Sequence, residues 1–202
     1  MDRIEYKIDI HQSKKNEFLS FLTKHDAKVL FEKRLITSIY FDNEKFEMYQ
    51  DSVEGLSPRK KIRLRFYGKK NFFLNDKNIL LEKKFTNNSG RSKKSNKIDN
   101  ADYILKNGIL DSKYGLCRPK TKVFYLRSYY SLNDFRITLD ENICFCLFDS
   151  KNNYQIEHSI NEIIAEIKIN NYSKIDELKK KFPFSEIRFS KYCKSVEILF
   201  QI

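Results

Sequence analysis

Charged residues fall at alternate positions inside apolar-rich runs, and no other feature of the chain constrains its fold as tightly. Lys61, Arg63 and Arg65 alternate with Ile62, Leu64 and Phe66. Glu82 and Lys84 lie in Ile-Leu-Leu-Glu-Lys-Lys-Phe, and Tyr125 and Arg127 lie in Val-Phe-Tyr-Leu-Arg. Arg136, Thr138 and Asp140 alternate with Ile137 and Leu139, and Glu166 and Lys168 alternate with Ile167 and Ile169. Residues two apart in a strand share a face. Each run therefore reads as a strand with one apolar face and one charged, mostly cationic face. Several such strands in one sheet crowd guanidinium and ammonium groups together, at a cost in repulsion that a polyanion among them would relieve.

Composition sets the outer bounds. The chain has 202 residues, 41% of them hydrophobic, enough for one domain over 1–202 with a real core. Lys and Arg number 39 against 27 Asp and Glu, a net charge of +12. A solvated, lysine-rich surface accounts for part of that excess but not for the alternating arginines. The first twenty residues are too polar for a signal peptide, and no run reaches the roughly 18–20 apolar residues that span a bilayer. The expected location is cytoplasmic. Cys144 and Cys146 sit two apart, a spacing of neither a zinc knuckle nor a redox pair, so with Cys117 and Cys193 they read as free structural thiols. His11, His25 and His158 show no ligand or triad spacing and read as surface residues.

Along the chain, residues 3–10 alternate and predict a strand. A short helix follows with Ser13 as its N-cap and Phe18, Leu19 and Leu22 on one face. Further strands are expected at Arg34–Phe41, Lys60–Tyr67, Ile79–Phe85, Lys122–Tyr130, Phe135–Asp140, Ile143–Phe148 and Ile163–Ile169. A helical turn is expected at Asn43–Tyr49, a turn at Glu54–Pro58 and a helix at Asp102–Lys106 stopped by Gly108. The lysine-rich stretch Thr86–Asn100 reads as a mobile loop. Ser173–Asp176 opens a helix ending before Pro183, and Arg188–Tyr192 and Val196–Phe200 read as strand-like. The fold class is α+β: an antiparallel sheet closed into a barrel or tunnel with a basic lumen, its apolar outer faces covered by short helices.

At this level the residues resemble the VTC domain of polyphosphate polymerases, within the CYTH or triphosphate tunnel metalloenzyme superfamily. Glu5-Tyr-Lys7 is similar to the opening Glu-x-Lys strand. Tyr40-Phe41-Asp42 resembles the Tyr-Phe-Asp motif, and Lys61-Ile-Arg63-Leu-Arg65-Phe-Tyr67 resembles the Lys-x-Arg-x-Arg-x-Tyr strand. Glu82-Lys-Lys84 resembles the next Glu-x-Lys. Tyr125-Leu-Arg127 and Arg136-Ile-Thr-Leu-Asp140 resemble a paired Tyr-x-Arg and Arg-Ile-Thr-x-Asp. Glu166-Ile-Lys168 resembles the metal-binding Glu-x-Lys, and Arg188-Phe-Ser190-Lys191-Tyr192 the terminal Arg-Phe-Ser-Lys-Tyr. One Glu-x-Lys carries almost no information; seven motifs in the right order carry a great deal. Ile8, where the family often has an aromatic, and Lys93-Lys94, where a Lys-x-Arg pair is expected, depart from the pattern.

The resemblance implies a polyphosphate polymerase that passes the γ-phosphate of ATP to a growing chain. Its runner-up is a tunnel triphosphatase acting on triphosphate or nucleoside triphosphates, and a non-catalytic polyanion-binding module is the third reading. Arginine forks bind two phosphate oxygens at once and lysines add point charge. Lys7, Arg63, Arg65, Lys84, Arg127, Arg136, Lys168 and Lys191 are thus the expected catalytic clamp. Tyr125, Ser190, Lys61 and Arg188 are expected to bind substrate. Mg²⁺ or Mn²⁺ needs oxygen ligands, and Glu166 is the first candidate. Glu5 and Glu82 either join it or pair with cations and orient them. Glu197 lies in an apolar run and is open to either face. Carboxylates recurring two residues before lysines weaken simple polyanion binding, so no specific nucleic-acid partner is expected. A basic surface could dock a membrane partner, but no residue names one.

Overall fold

The alternation in Ile4–Ile10 sends Ile8 and Ile10 to one side of strand β1 and Glu5, Lys7 and Asp9 to the other. Only the first pair is buried in an apolar cluster. The computed structural model describes residues 4–70, 78–149, 156–169 and 185–202. Their strands are β1, β2 (Lys28–Asp42), β3 (Arg59–Tyr67), β4 (Ile79–Asn87), β5 (Gly90–Ile98), β6 (Ile109–Asp111), β7 (Gly115–Leu132), β8 (Phe135–Leu147), β9 (His158–Ile160) and β10 (Ile163–Ile169). The helices are α1 (Lys15–Lys24), α2 (Glu47–Glu54), α3 (Ala101–Asn107) and α4 (Lys191–Phe200). The sheet is ten-stranded, in the order β1-β10-β8-β7-β2-β3-β4-β5, with β6 on β7 and β9 on β8. The pairings β1/β10, β10/β8, β2/β3, β3/β4 and β4/β5 are antiparallel. An antiparallel sheet with a few short helices is therefore what the chain forms, and its ladder ends at β1 and β5.

The described chain falls into two compact units, and β2, β7, β8 and β9 contribute residues to both. The first unit takes residues 1–34, 125–143 and 159–189. Its core joins Ile8 and Ile10 to Ile137, Leu139, Ile163, Ala165 and Ile167 of β8 and β10. Phe18 and Leu22, four apart on α1, close that face. Each fully buried Ile or Leu here contributes on the order of 2 kcal/mol. The same strands send Glu5, Lys7, Glu166, Lys168, Arg136, Thr138 and Asp140 to the opposite face, in the register Glu5–Lys168–Arg136 and Lys7–Glu166–Thr138.

The second unit takes residues 35–124, 144–158 and 190–202. In β3, Ile62, Leu64 and Phe66 are buried opposite Phe41, Ile39 and Thr37 of β2. Lys61, Arg63 and Arg65 share the other face with Ser38 and Tyr40. Helix α4 buries Tyr192, Cys193, Ser195 and Val196, and α2 buries Met48 and Ser52.

Four local expectations change. Thr86–Asn100 is no loop: a two-residue turn, Asn88-Ser89, returns the chain as β5 paired along β4. Arg188–Tyr192 and Val196–Phe200 are not strand-like, because Lys191–Phe200 is one helix with Ser190 as its N-cap. Ser13 does not cap α1. It lies in a 3-10 turn, Gln12–Lys14, and its backbone N–H donates to the His11 ring. The strands at 122–130, 135–140 and 143–148 are parts of two longer ones, β7 and β8. Gly108 stops α3 as expected. The helix expected from Ser173 lies outside the described residues. Among the described residues, no helix is long and apolar enough to cross a membrane.

Candidate functional site

Two clusters of charge arise, one on the polar face of each unit. In the second unit the cluster is built on β3, β4 and β5. Cross-strand register aligns Arg63 with Glu82, Lys61 with Lys84 and Lys84 with Lys93. Alternation along β5 adds Arg91 and Lys97 to that face, opposite Thr86 and Leu80. Arg59, Lys61, Arg63, Arg65, Lys84, Arg91, Lys93 and Lys97 thus share one face of these strands with the carboxylate of Glu82, and Arg63, Arg65 and Lys93 reach it.

Glu82 is the fixed point of this cluster, with its side chain only 1% exposed. Arg63 donates to its Oε2 from Nε at 2.7 Å and approaches with Nη2 at 2.6 Å. Lys93 Nζ donates to Oε1, and Arg65 Nη1 lies 3.8 Å from Oε2. Burial alone would raise the Glu82 pKa. Arg63 and Arg65, with hydrogen bonds from Lys93 and Arg63, more than reverse that and bring it down to about 2. Arg63 is also fastened on its other side, since Nη1 donates to the Tyr40 hydroxyl at 3.0 Å. Tyr40 stacks on Tyr192 with ring centroids 5.2 Å apart. Burial pushes the Tyr40 phenol up, but Arg63, Arg65 and Lys191 outweigh it and its pKa is lowered. A buried phenol shifted in that direction marks a strongly positive local field.

Tyr192 explains the end of the chain. Its hydroxyl donates to Asp42 Oδ2, and burial with that neighbour pushes the Tyr192 pKa up. Asp42 also accepts from the backbone N–H groups of Met48 and Tyr49 in the first turn of α2. Asp42 and Tyr192 therefore act as a brace between β2, α2 and α4. Ser190 accepts from Lys61 Nζ at 2.8 Å while capping α4 through the Cys193 N–H, and Lys191 follows as the first residue of that helix. Lys84 is exposed.

In the first unit three cations of the cluster, Arg127, Lys168 and Lys7, lie near a carboxylate. Arg127 forks Asp140 from Nε at 2.5 Å and Nη2 at 2.7 Å, and its guanidinium lies 5.2 Å from the Tyr125 ring. Lys168 Nζ is 2.5 Å from Glu166 Oε1. Lys7 Nζ donates to the Phe189 carbonyl at 2.6 Å and stands 3.7 Å from Glu5. Arg136 opposes Lys168 in register and reaches over Tyr129. Arg188 is exposed.

Among the described residues, no group of three or more His, Cys, Asp or Glu side chains is placed to hold a metal ion. Mg²⁺ and Mn²⁺ do not require one, because one or two carboxylates suffice when phosphate oxygens and water complete the shell. Glu166 fits that demand. Directly across from it in the ladder is Thr138, buried, whose Oγ1 has no hydrogen-bond partner among the described residues. A buried hydroxyl left unmatched beside a carboxylate suits a site that a ligand completes.

Sequence reasoning singled out the cations and missed what holds them. Tyr40, Asp42 and Tyr192 lie in motifs that assign them no role, and Lys93 stands in a stretch that reads as a loop, where the family pattern expects a Lys-x-Arg pair. The strand pairing of Lys93 was hidden because β5 has no apolar alternation.

The VTC domain model matches residues 2–114 and 110–200. Among solved structures, a candidate adenylyl cyclase from Hippeastrum with a dominant triphosphatase activity superposes with a TM-score of 0.60 at 14% identity, covering 98% of this chain and 97% of that one. A candidate adenylate cyclase from Vibrio parahaemolyticus superposes with a TM-score of 0.57 at 15% identity, covering 96% and 98%. A conserved hypothetical protein from Pyrococcus furiosus gives 0.51 at 14%, covering 89% and 85%. These likenesses establish the fold that this chain shares with those proteins. No curated protein matches the sequence.

Proposed function

The chain belongs to the VTC domain family, and on that premise we propose that it is a metal-dependent polyphosphate polymerase. In this reading ATP and a polyphosphate chain are its substrates. The observation that carries it is the face of β3, β4 and β5, where eight cations share the face with the buried carboxylate of Glu82. A face so imbalanced is built for an anion of many charges, and a phosphate chain is the family's own.

The reaction is an in-line phosphoryl transfer. An oxygen at the end of the chain forms a bond to the γ-phosphorus of ATP. The bond from that phosphorus to the β–γ bridging oxygen breaks, and ADP leaves with the electron pair. Such transfers ask the protein for positioning and charge neutralisation more than for covalent help. Arg65, Lys61, Lys84 and Lys191 would neutralise non-bridging oxygens on the second unit's face, with Arg63, fixed by Glu82 and Tyr40, adding its charge to the local field. Lys7, Arg127, Arg136 and Lys168 would do so on the first unit's face, with Tyr125, Ser190 and Arg188 as further contacts. Glu166, with Glu5 on the neighbouring strand, would hold Mg²⁺ or Mn²⁺, which lowers the charge of the phosphate oxygens it binds. Thr138 would donate its hydroxyl to a ligand oxygen beside Glu166.

A second reading, hydrolysis of triphosphate, draws support from the triphosphatase activity of the Hippeastrum protein. Incubation with ATP and Mn²⁺ or Mg²⁺, with and without a short polyphosphate primer, separates the two. Long-chain phosphate and ADP, lost in Glu166→Ala and Arg63→Ala, is the expected result. Orthophosphate alone would favour the triphosphatase, and metal-independent binding without turnover would leave only a binding module.

A further inference from the structure

We propose that Glu82 is a built-in competitor for phosphate, which sets the β3–β5 face to take phosphate chains in preference to single phosphate ions. This rests on reading that face as a phosphate site. Both carboxylate oxygens of Glu82 are engaged, Oε2 by the Nε and Nη2 edge of Arg63 and Oε1 by Lys93. An orthophosphate that takes the same edge of Arg63 must displace Glu82. The displaced carboxylate would then stay buried without its Arg63 partner, a state proteins disfavour. A single phosphate ion brings too little charge to offset that loss.

A chain has another route. Lys61 and Lys84 oppose each other one same-face step along from the Arg63–Glu82 pair, about 7 Å away along the strands. Lys93 is the register partner of Lys84, and Lys97 that of Leu80, the neighbour of Arg65. Linked phosphates laid along this row meet Lys61, Lys84 and Lys93 while Glu82 keeps Arg63 in place. Tyr40, on the other side of Arg63, holds the guanidinium in the same orientation. The cations crowding both oxygens of Glu82 also repel a divalent ion, so this carboxylate acts on anions and is not a metal ligand.

Calorimetric titration of the full chain in EDTA, with orthophosphate and with tripolyphosphate, tests this. Wild type should bind tripolyphosphate about 100-fold more tightly than orthophosphate. Glu82→Gln should tighten orthophosphate about tenfold and change tripolyphosphate by less than about threefold, so that the preference collapses. Glu82→Asp keeps the charge but pulls it back by one methylene, and should shift the ratio the same way by less. It carries the test alone if thermal melts show that the glutamine variant does not fold. An unchanged ratio, or equal weakening of both anions, would overturn the proposal and leave Glu82 a packing residue. Loss of Mn²⁺ binding in Glu82→Gln, read by electron paramagnetic resonance, would overturn it in favour of a metal ligand. Failure of wild type to bind tripolyphosphate at all would be a different result, removing the phosphate reading itself.

Discussion

The polar faces of the two units use the same residue types in different proportions. On β1, β10, β8 and β7 the cations Lys7, Lys168, Arg136 and Arg127 are matched by Glu5, Asp9, Glu166 and Asp140, and Arg127 is forked by Asp140. On β3, β4 and β5 eight cations share a face with Glu82, and Arg63, Arg65 and Lys93 reach its carboxylate. The first face is close to neutral and can hold its shape without a ligand, which suits carboxylates kept for a metal. The second carries a large surplus of positive charge, which suits the capture of an anion. Counting lysines and arginines over the whole chain would miss this division.

The largest expected effect lies on the surplus face. Arg63→Ala should lower turnover of ATP by about 10²–10³-fold, the scale for losing one electrostatic stabiliser of a transition state. Arg63→Lys should recover little, because a point charge cannot replace a fork held by both Glu82 and Tyr40. Steady-state kinetics with both variants would read the difference.

Stability should separate the faces next. Glu82→Ala leaves Arg63, Arg65 and Lys93 without their shared carboxylate and should cost about 3 kcal/mol in urea unfolding without phosphate. Tripolyphosphate should restore part of that loss. The pH dependence has a definite sign. The folded pKa of Glu82 is depressed from 4.5 to about 2, so its contribution is complete above 4.5 and disappears as pH falls through the folded value. Wild type should therefore lose more stability than Glu82→Gln between pH 4.5 and 2, measured by urea midpoints at each pH.

A smaller effect should come from Thr138→Val on the balanced face. The Oγ1 atom has no partner among the described residues, so removing it should leave stability unchanged or raise it by up to about 1 kcal/mol. Activity should fall about tenfold, the worth of one hydrogen bond to the ligand. The smallest effect belongs to Lys94→Ala. Lys94 is on the other face of β5, opposite Lys83, and its loss should change stability by no more than about 0.5 kcal/mol and leave chain binding intact. Lys93→Ala, one residue away, should weaken tripolyphosphate binding in the same titration.

Much of this division was legible in the sequence, because it follows from period-two alternation. Ile62, Leu64 and Phe66 against Lys61, Arg63 and Arg65 assign both faces of β3 without any partner strand. What remained hidden depended on register and distance. Glu82 and Lys93 meet only because a two-residue turn sets the pairing of β4 with β5, and β5 is polar on both faces, so alternation gave no warning of a strand. Tyr192 reaches Asp42 across 150 positions of sequence, and only the fold shows that these two motif residues brace the scaffold. The terminal helix carries Tyr192, Val196 and Phe200 at four-residue spacing. The apolar residues there also suit short strands, and tertiary packing decides between the two.

The most direct measurement follows the label of γ-labelled ATP through a single turnover on the full chain with Mn²⁺ and a short polyphosphate primer. Label should appear at the end of a lengthened chain, with one ADP released for each phosphate added and no transfer in Arg63→Ala or Glu166→Ala. Label released only as orthophosphate, with the primer unchanged, would contradict the polymerase reading.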